Sequence, residues 1–231
     1  MKNTCSLSII IPVYHEAGTI EGCIARLHGL TLDNAVEIVI VDGDPQGSTI
    51  KVIQDKQVII TVAQKGRARQ MNRGASLASG DILLFLHADT LLPPDALAMV
   101  RSCMNNAFNV AGAFDLGIRT DRRIFRITER YVALRTRLTR IPYGDQAIFM
   151  RREYFEEIGG YKDIPLMEDV EIMQRIKKRG DRICIVPKKV MTSPRRWEQE
   201  GILFCTLRNL VVQFFYYLGV SPERLSRFYK A

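Results

Sequence analysis

Three aspartates in this chain stand where a carboxylate can do chemistry: Asp42, Asp89 and Asp169. Asp89 follows Ile-Leu-Leu-Phe-Leu at 82–86, five large apolar residues without alternation. Such a run suits a central parallel strand covered on both faces. Ligands of open α/β sheets sit beyond the carboxyl ends of the strands, so His87, Ala88 and Asp89 fall where such folds do their chemistry. A carboxylate there offers the hard oxygen that Mg²⁺ or Mn²⁺ takes; read locally, Asp89 serves equally well as a cap of the next turn. Asp42 closes a second apolar run, 36–41, in Asp-Gly-Asp-Pro. Asp169 shares helical spacing with Ile172, Met173 and Ile176, whereas Glu168, Glu171 and Arg175 share another face. An inward carboxylate at a helix start is either a buried cap or a positioned base, and local reasoning favours the cap.

The elements that must hold these residues alternate. Strand-like runs at 7–13, 36–41, 58–63 and 82–86 are separated by helical stretches at 19–30, 48–54 and 68–78. That order predicts an α/β fold with a parallel sheet and right-handed crossovers. No G-x-G-x-x-G follows the first strand, where Pro12-Val13-Tyr14-His15-Glu16 stands instead, which disfavours a dinucleotide cofactor. Beyond the prolines at 93 and 94 come a helix over 95–104, an alternating strand over 112–118 and an arginine-rich helix. A turn at 142–145, a strand over 146–150, helices over 151–158 and 168–179 and a strand over 182–186 follow, and the sheet becomes mixed here. A last helix, 201–218, carries Leu203, Leu207, Leu210, Val211, Phe214 and Leu218 on one side.

At 231 residues and 47% hydrophobic content the chain can bury one large core. Five scattered cysteines without C-x-x-C spacing predict reduced thiols in a cytoplasm and no bridges, and an apolar run at 210–220 that is broken by Gln213 and short of the roughly 20 residues a bilayer takes predicts a soluble protein. The net charge of +8 is partly local: eight arginines stand between Arg119 and Arg140 against Asp121 and Glu129. That asymmetry predicts an anionic partner. Alternatively it is an ordinary solvated helix face, with Ile124, Ile127, Tyr131, Leu134 and Leu138 packed inward and the arginines outside.

In order along the chain, these motifs resemble the inverting, GT-A type glycosyltransferases of family 2. Ile-Ile-Ile-Pro-Val-Tyr-His-Glu (9–16) is similar to the family's first strand and its Pro-x-Tyr-Asn-Glu tip, and Val41-Asp42-Gly43 stands where Val-Asp-Asp-Gly-Ser is usual. Gly-Arg-Ala-Arg-Gln-Met-Asn-Arg-Gly (66–74) is similar to Gly-x-x-x-Ala-Arg-Asn-x-Gly, and His87-Ala88-Asp89 occupies the Asp-x-Asp position. Glu168-Asp169 matches the family's Glu-Asp pair, and Arg196-Trp197 the end of Gln-x-x-Arg-Trp. A narrower likeness, in Phe-Leu-His-Ala-Asp-Thr, Arg-Arg-Trp-Glu and Leu-Gly-Val-Ser-Pro, is to small bacterial enzymes associated with radical-SAM proteins, for which an arsenosugar role has been inferred. The departures are His87 for the first metal-motif aspartate, Gly43 for a base-reading aspartate and Met71 for the arginine of Ala-Arg-Asn, which leaves Arg67 or Arg69 to serve in its place.

The resemblance implies a GT-A domain over 1–200, with a nucleotide-binding half at 1–90, an acceptor half at 91–200 and a helical extension at 201–231 packed on it. It implies a UDP- or GDP-sugar donor held by Pro12, Tyr14, Glu16, Asp42, Arg69, His87, Ala88 and Asp89, with Mg²⁺ or Mn²⁺ on Asp89. Asp169 would take the acceptor's proton, and Glu168, Arg196 and Trp197 would meet an acceptor whose identity stays open. A single displacement inverts the anomeric carbon. A sugar nucleotidyltransferase is the rival, although residues 12–18 lack its glycine-rich loop. A nucleic-acid-binding module is disfavoured, because no binding signature or interleaved aromatics accompany the arginines. The arginines together with Phe214-Phe215-Tyr216-Tyr217 are compatible with peripheral contact at an anionic inner membrane face, and the pattern leaves room for a homodimer.

Overall fold

The computed structural model describes residues 5–30 and 36–229; Lys2 of the opening segment and Lys230 of the charged tail lie outside them. Seven strands form one sheet: β1 (Leu7–Val13), β2 (Val36–Asp42), β3 (Ile59–Val62), β4 (Ile82–Phe85), β5 (Asn109–Ile118), β6 (Phe149–Arg151) and β7 (Arg182–Thr192). Their order is β3-β2-β1-β4-β6-β5-β7. The first four strands pair in parallel, β6 runs antiparallel to both β4 and β5, and β7 is parallel to β5. The expected α/β fold with a mixed second half is what the chain adopts. Several elements differ in extent: the helix expected over 48–54 is a single 3₁₀ turn, Ile50–Val52; the strand expected over 112–118 begins at Asn109; the strand expected over 146–150 is a 3₁₀ turn, Gly144–Gln146, followed by the short β6; and β7 continues well past residue 186 to Thr192.

Alternation along the central strands divides the core into two layers. Ile10, Val39, Val41, Leu83 and Phe85 face helices α2 (Arg67–Leu77), α5 (Arg152–Glu157) and α6 (Glu168–Arg179). Ile9, Ile11, Ile38, Ile40, Leu84 and Leu86 face α1 (Ile20–His28) and α3 (Ala96–Met104). Each such side chain removed from water contributes about 1.5–3 kcal/mol, so the central strands are held on both faces. α2 lies close enough that a Cβ at Gly74 would collide with Ile10 and Val41; the glycine lets the helix bring its N-terminus to the strand ends.

Two helices present the opposite face to the one their apolar spacing predicts. α4 (Ile124–Thr139) buries Phe125, Glu129, Val132 and Thr136 and leaves Ile124, Ile127, Tyr131, Leu134 and Leu138 between 48% and 74% exposed. The reason is electrostatic. Glu129 accepts hydrogen bonds from the Ile118 backbone N–H at 2.8 Å and from Lys189 Nζ at 2.7 Å, and Arg137 clamps Asp115 with two bonds of 2.8 and 2.7 Å. Satisfying a strand-end N–H, the buried Glu129 carboxylate and the partly buried Asp115 fixes the rotation of the helix against its hydrophobic stripe. α8 (Ile202–Tyr217), which follows α7 (Arg195–Glu200), buries Cys205 and Val212 and turns its predicted packing side outward. α9 (Pro222–Tyr229) ends the described chain.

The expectation of unbridged thiols is also corrected. Cys103 on α3 and Cys184 on β7 are joined by a disulfide, with Cα atoms 6.4 Å apart. Their separation of 81 residues carries no spacing signal, and only the packing of α3 on the sheet brings them together.

Candidate active site

The carboxyl ends of β1, β2 and β4 open into a crevice, the position the topology favours for ligands. It holds two adjoining cavities of about 240 and 250 Å³. The first is bounded by Pro12, Tyr14, Glu16, Gln70 and Ala88, the second by Tyr143, Asp145, Asp169, Arg196 and Trp197; Arg67, His87 and Asp89 line both. A group bound in one cavity therefore meets a group bound in the other across these three side chains.

The first cavity is built on strand tips. Tyr14 is capped by Lys65, whose Nζ lies 3.8 Å from the ring centroid. Glu16 pairs with Arg195 of α7 at 2.7 Å, tying the β1 loop to the far side of the crevice. Burial raises the Glu16 pKa, but hydrogen bonds from Arg195 and Thr19 hold it below the usual carboxylate value. Gln70 donates from Nε2 to the carbonyls of Val13 at 2.7 Å and Val41 at 2.8 Å, bridging β1 and β2. Its side chain fills the space above Gly43, where a Cβ would come 2.8 Å from Gln70 Oε1. The missing aspartate at position 43 is thus matched by a glutamine from the neighbouring helix.

At the end of β4, burial pushes the His87 imidazole down to about 4, with Arg67 adding to the shift. The ring is neutral near pH 7, so positive charge at the wall shared by both cavities comes from Arg67. Burial raises the Asp89 carboxyl, opposed by Arg195 and reinforced by Glu16.

In the second cavity Asp169 occupies the first turn of α6. Its Oδ2 accepts the Gly144 N–H at 2.6 Å, and its Oδ1 accepts the Val170 N–H at 2.7 Å. The turn is entered through Met167, a non-glycine residue at φ 66°; backbone held in that sparsely populated region costs of order 1 kcal/mol and is over-represented at functional sites. Burial raises Asp145 to about 6, against the pull of Arg135. Trp197 lines the cavity and also meets Phe125 of α4 edge-on, with ring centroids 5.6 Å apart.

Of the residues singled out in the sequence, Pro12, Tyr14, Glu16, His87, Ala88, Asp89, Asp169, Arg196 and Trp197 line these cavities. Three do not, and each has a physical reason. Asp42 is fully buried, and its carboxylate accepts the backbone N–H groups of Asp44, Thr49 and Ile50 at 2.9, 2.8 and 3.3 Å, so it organises the β2 loop. Arg69 is held by Asp163 through two contacts of 2.8 Å and by Gln64 at 2.9 Å, while Arg67, two residues earlier, turns into the crevice. Glu168 is buried behind the second cavity and pairs with Arg67 at 3.1 Å; burial raises its pKa, opposed by Arg67 and reinforced by Asp169. Helical spacing predicts Asp169 as the inward carboxylate, but Glu168 is the buried one and Asp169 is only partly covered.

Arg67 is the alternative to Arg69 that the sequence offers, whereas Gln70, Tyr143, Asp145 and Asn209 were missed as lining residues. The Pro-Tyr-Gly-Asp turn at 142–145 was the available signal for two of them, since polar residues in a loop that must return to the sheet beside the strand tips face the crevice.

A family model described as Glycosyl transferase family 2 matches residues 8–159, which include β1 to β6. The chain belongs to that family. Among its family 2 relatives, a probable glycosyltransferase, YdaM, of Bacillus subtilis is 25% identical over 229 residues, covering 87% of this chain and 52% of that protein. A PGL/p-HBAD biosynthesis glycosyltransferase of Mycobacterium bovis is 30% identical over 178 residues, covering 67% of this chain and 62% of that one. The chain therefore spans between half and two thirds of the length of these relatives. Its fold is that of GT-A glycosyltransferase structures. The mannosyltransferase PcManGT from Pyrobaculum calidifontis, solved with GDP-Man and Mn²⁺, superposes with a TM-score of 0.66 at 19% identity, over 82% of this chain and 57% of that one. S. aureus TarS 1-349 with UDP gives 0.64 at 14% identity, over 81% and 60%.

Proposed function

We propose that this family 2 member transfers a sugar from a nucleoside-diphosphate donor to an acceptor hydroxyl in one inverting displacement. The observation that carries the reading is the shared wall: Arg67, His87 and Asp89 border both cavities, and Asp169 opens into the second. Donor diphosphate in the first cavity and acceptor hydroxyl in the second would meet there. Arg67 offsets phosphate charge while Glu168 holds its guanidinium in place. Neutral His87 offers a hydrogen bond to ribose or diphosphate. Asp169, steadied by the Gly144 N–H, accepts the acceptor's proton, a step worth about 10²–10⁴-fold in rate.

A divalent cation fits the donor set in a limited sense. Among the described residues no three His, Cys, Asp or Glu side chains form a cage. Asp89 alone projects a carboxylate to the wall common to both cavities, which matches the way Mg²⁺ is held by one or two carboxylates and completed by substrate phosphates. Bound there, the cation would stabilise charge developing on the departing diphosphate. Support from outside the chain is the Mn²⁺ and GDP-Man of the Pyrobaculum structure and the UDP of TarS; uracil and guanine both remain open for this protein. The narrower likeness to the radical-SAM-associated enzymes bears on the acceptor, because Arg196 and Trp197 of the Arg-Arg-Trp-Glu stretch line the second cavity.

The exposed apolar stripes of α4 and α8, with the arginines of α4 beside the first, would rest on an anionic membrane surface. No helix among the described residues is long and apolar enough to cross a membrane. The deciding experiment follows nucleotide diphosphate released from UDP-glucose and from GDP-mannose with and without Mn²⁺. Metal-dependent release that disappears in Asp89→Ala supports the transferase. Synthesis of a nucleotide sugar from a triphosphate and a sugar phosphate would instead establish the nucleotidyltransferase.

A further inference from the structure

A third cavity, about 480 Å³ and larger than either of the other two, runs between α4 and α8. Its walls are apolar, chiefly Leu116, Ile127, Tyr131, Val132 and Leu210. It is continuous with the second cavity, because Tyr143, Asp145, Trp197 and Asn209 line both. Polarity changes along its length. At the inner end Asp145 Oδ1 and Asn209 Oδ1 are buried without a hydrogen-bond partner among the described residues, and so is Arg135 Nε. Two acceptors and one donor left without protein partners in a buried site call for water or the polar head of a ligand. At the outer end its lining residues Ile127 and Tyr131 of α4 and Leu210 of α8 are themselves exposed and belong to the apolar stripes of the two helices.

We infer that this groove holds the apolar chain of the acceptor, which is a membrane amphiphile with a hydroxylated head. The head would satisfy Asp145, Asn209 and Arg135 and present its hydroxyl to Asp169, and the chain would run along the groove to the surface that meets the lipid. Continuity of the groove with the site and its exit between two helices with exposed apolar stripes select a lipid over a fully polar sugar. This inference rests on the transferase reading above and names the acceptor class for it.

Trp197 is the only tryptophan in the chain and lines the groove, so its fluorescence reports on occupancy. The probe is dodecyl maltoside brominated along its alkyl chain, titrated into the full chain below the micelle-forming concentration. Saturable quenching of Trp197, with no response to maltose or to unbrominated detergent, is expected. Leu210→Lys should weaken the probe about tenfold or more, since a charge on the apolar path must be desolvated; its thermal midpoint reports that the variant is folded. Absent or merely collisional quenching, or equal quenching in Leu210→Lys, would overturn the assignment, as would a stable dimer burying this face and excluding the probe. Nucleotide diphosphate release by the same preparation separates the two readings. Release without quenching removes the groove and leaves the transferase, whereas quenching without release removes the transferase and the acceptor assignment with it.

Discussion

The backbone N–H of Gly144 donates to Asp169 Oδ2 at 2.6 Å, while His87 Nε2 lies 3.4 Å from the point where a Cβ on Gly144 would stand. One glycine thus keeps a general-base candidate and a donor-side imidazole on either side of an open space. Gly144→Ala would set a methyl 3.3 Å from that oxygen and displace one of them. The carboxylate need give by only a few tenths of an ångström, well short of the roughly 1 Å shift that costs on the order of 10²-fold, so kcat should fall by about two- to tenfold with little change in the thermal midpoint. Asp169→Asn should lose about 10²–10⁴-fold in transfer and keep donor binding, measured by calorimetry with the nucleotide. Undiminished turnover would sink the assignment of the base.

Arg67 and Glu168 should behave as a coupled pair. Removing the arginine leaves Glu168 buried with its main counter-charge gone, so Arg67→Ala should destabilise by about 1–3 kcal/mol in urea unfolding. Glu168→Gln in that background should recover part of the loss, because the uncompensated charge is removed. Strictly additive changes would show that the contact contributes nothing.

Asp145 predicts a pH dependence. Its carboxyl lies near 6 in the folded protein against an ordinary value of 3.8, so the native state holds a proton the unfolded chain has released. Between about pH 4 and pH 6 stability therefore falls as pH rises, by about 2–3 kcal/mol in all, with the full cost present above the folded value. Asp145→Asn should match the parent near pH 4 and exceed it at pH 7.5. Parallel pH profiles would contradict the burial argument.

Gly43 and Gln70 should show strong non-additivity. A methyl at position 43 displaces an amide that makes hydrogen bonds of 2.7 and 2.8 Å to two strand carbonyls, so Gly43→Ala should cost about 1–3 kcal/mol. In a Gln70→Ala background the same methyl should cost much less, as read from the double-mutant cycle.

The outward face of α4 and α8 predicts lipid binding. The chain should co-sediment with vesicles containing anionic lipid at low salt and be released as salt rises. Leu203→Glu combined with Phe214→Glu, both on the exposed side of α8, should abolish the association without lowering the thermal midpoint. Equal binding to neutral vesicles, or none to anionic ones, would exclude this use of the face.

What was legible in the sequence is the part that local patterning controls. Uninterrupted apolar runs specify strands buried on both faces, and their polar tips mark the crevice, so Asp89, His87 and Tyr14 were found from position alone. Tertiary structure decided matters in which two distant residues compete for one space or one partner. Arg67 and not Arg69 enters the crevice because Asp163 holds the latter. Asp42 turns inward because three backbone N–H groups need its oxygens. α4 shows its apolar stripe to solvent because Glu129 must reach Ile118 and Lys189. Helical spacing identifies which residues share a face, but burying an unpaired polar group costs more than exposing a leucine, and which polar groups would need partners depends on contacts that only the folded chain creates.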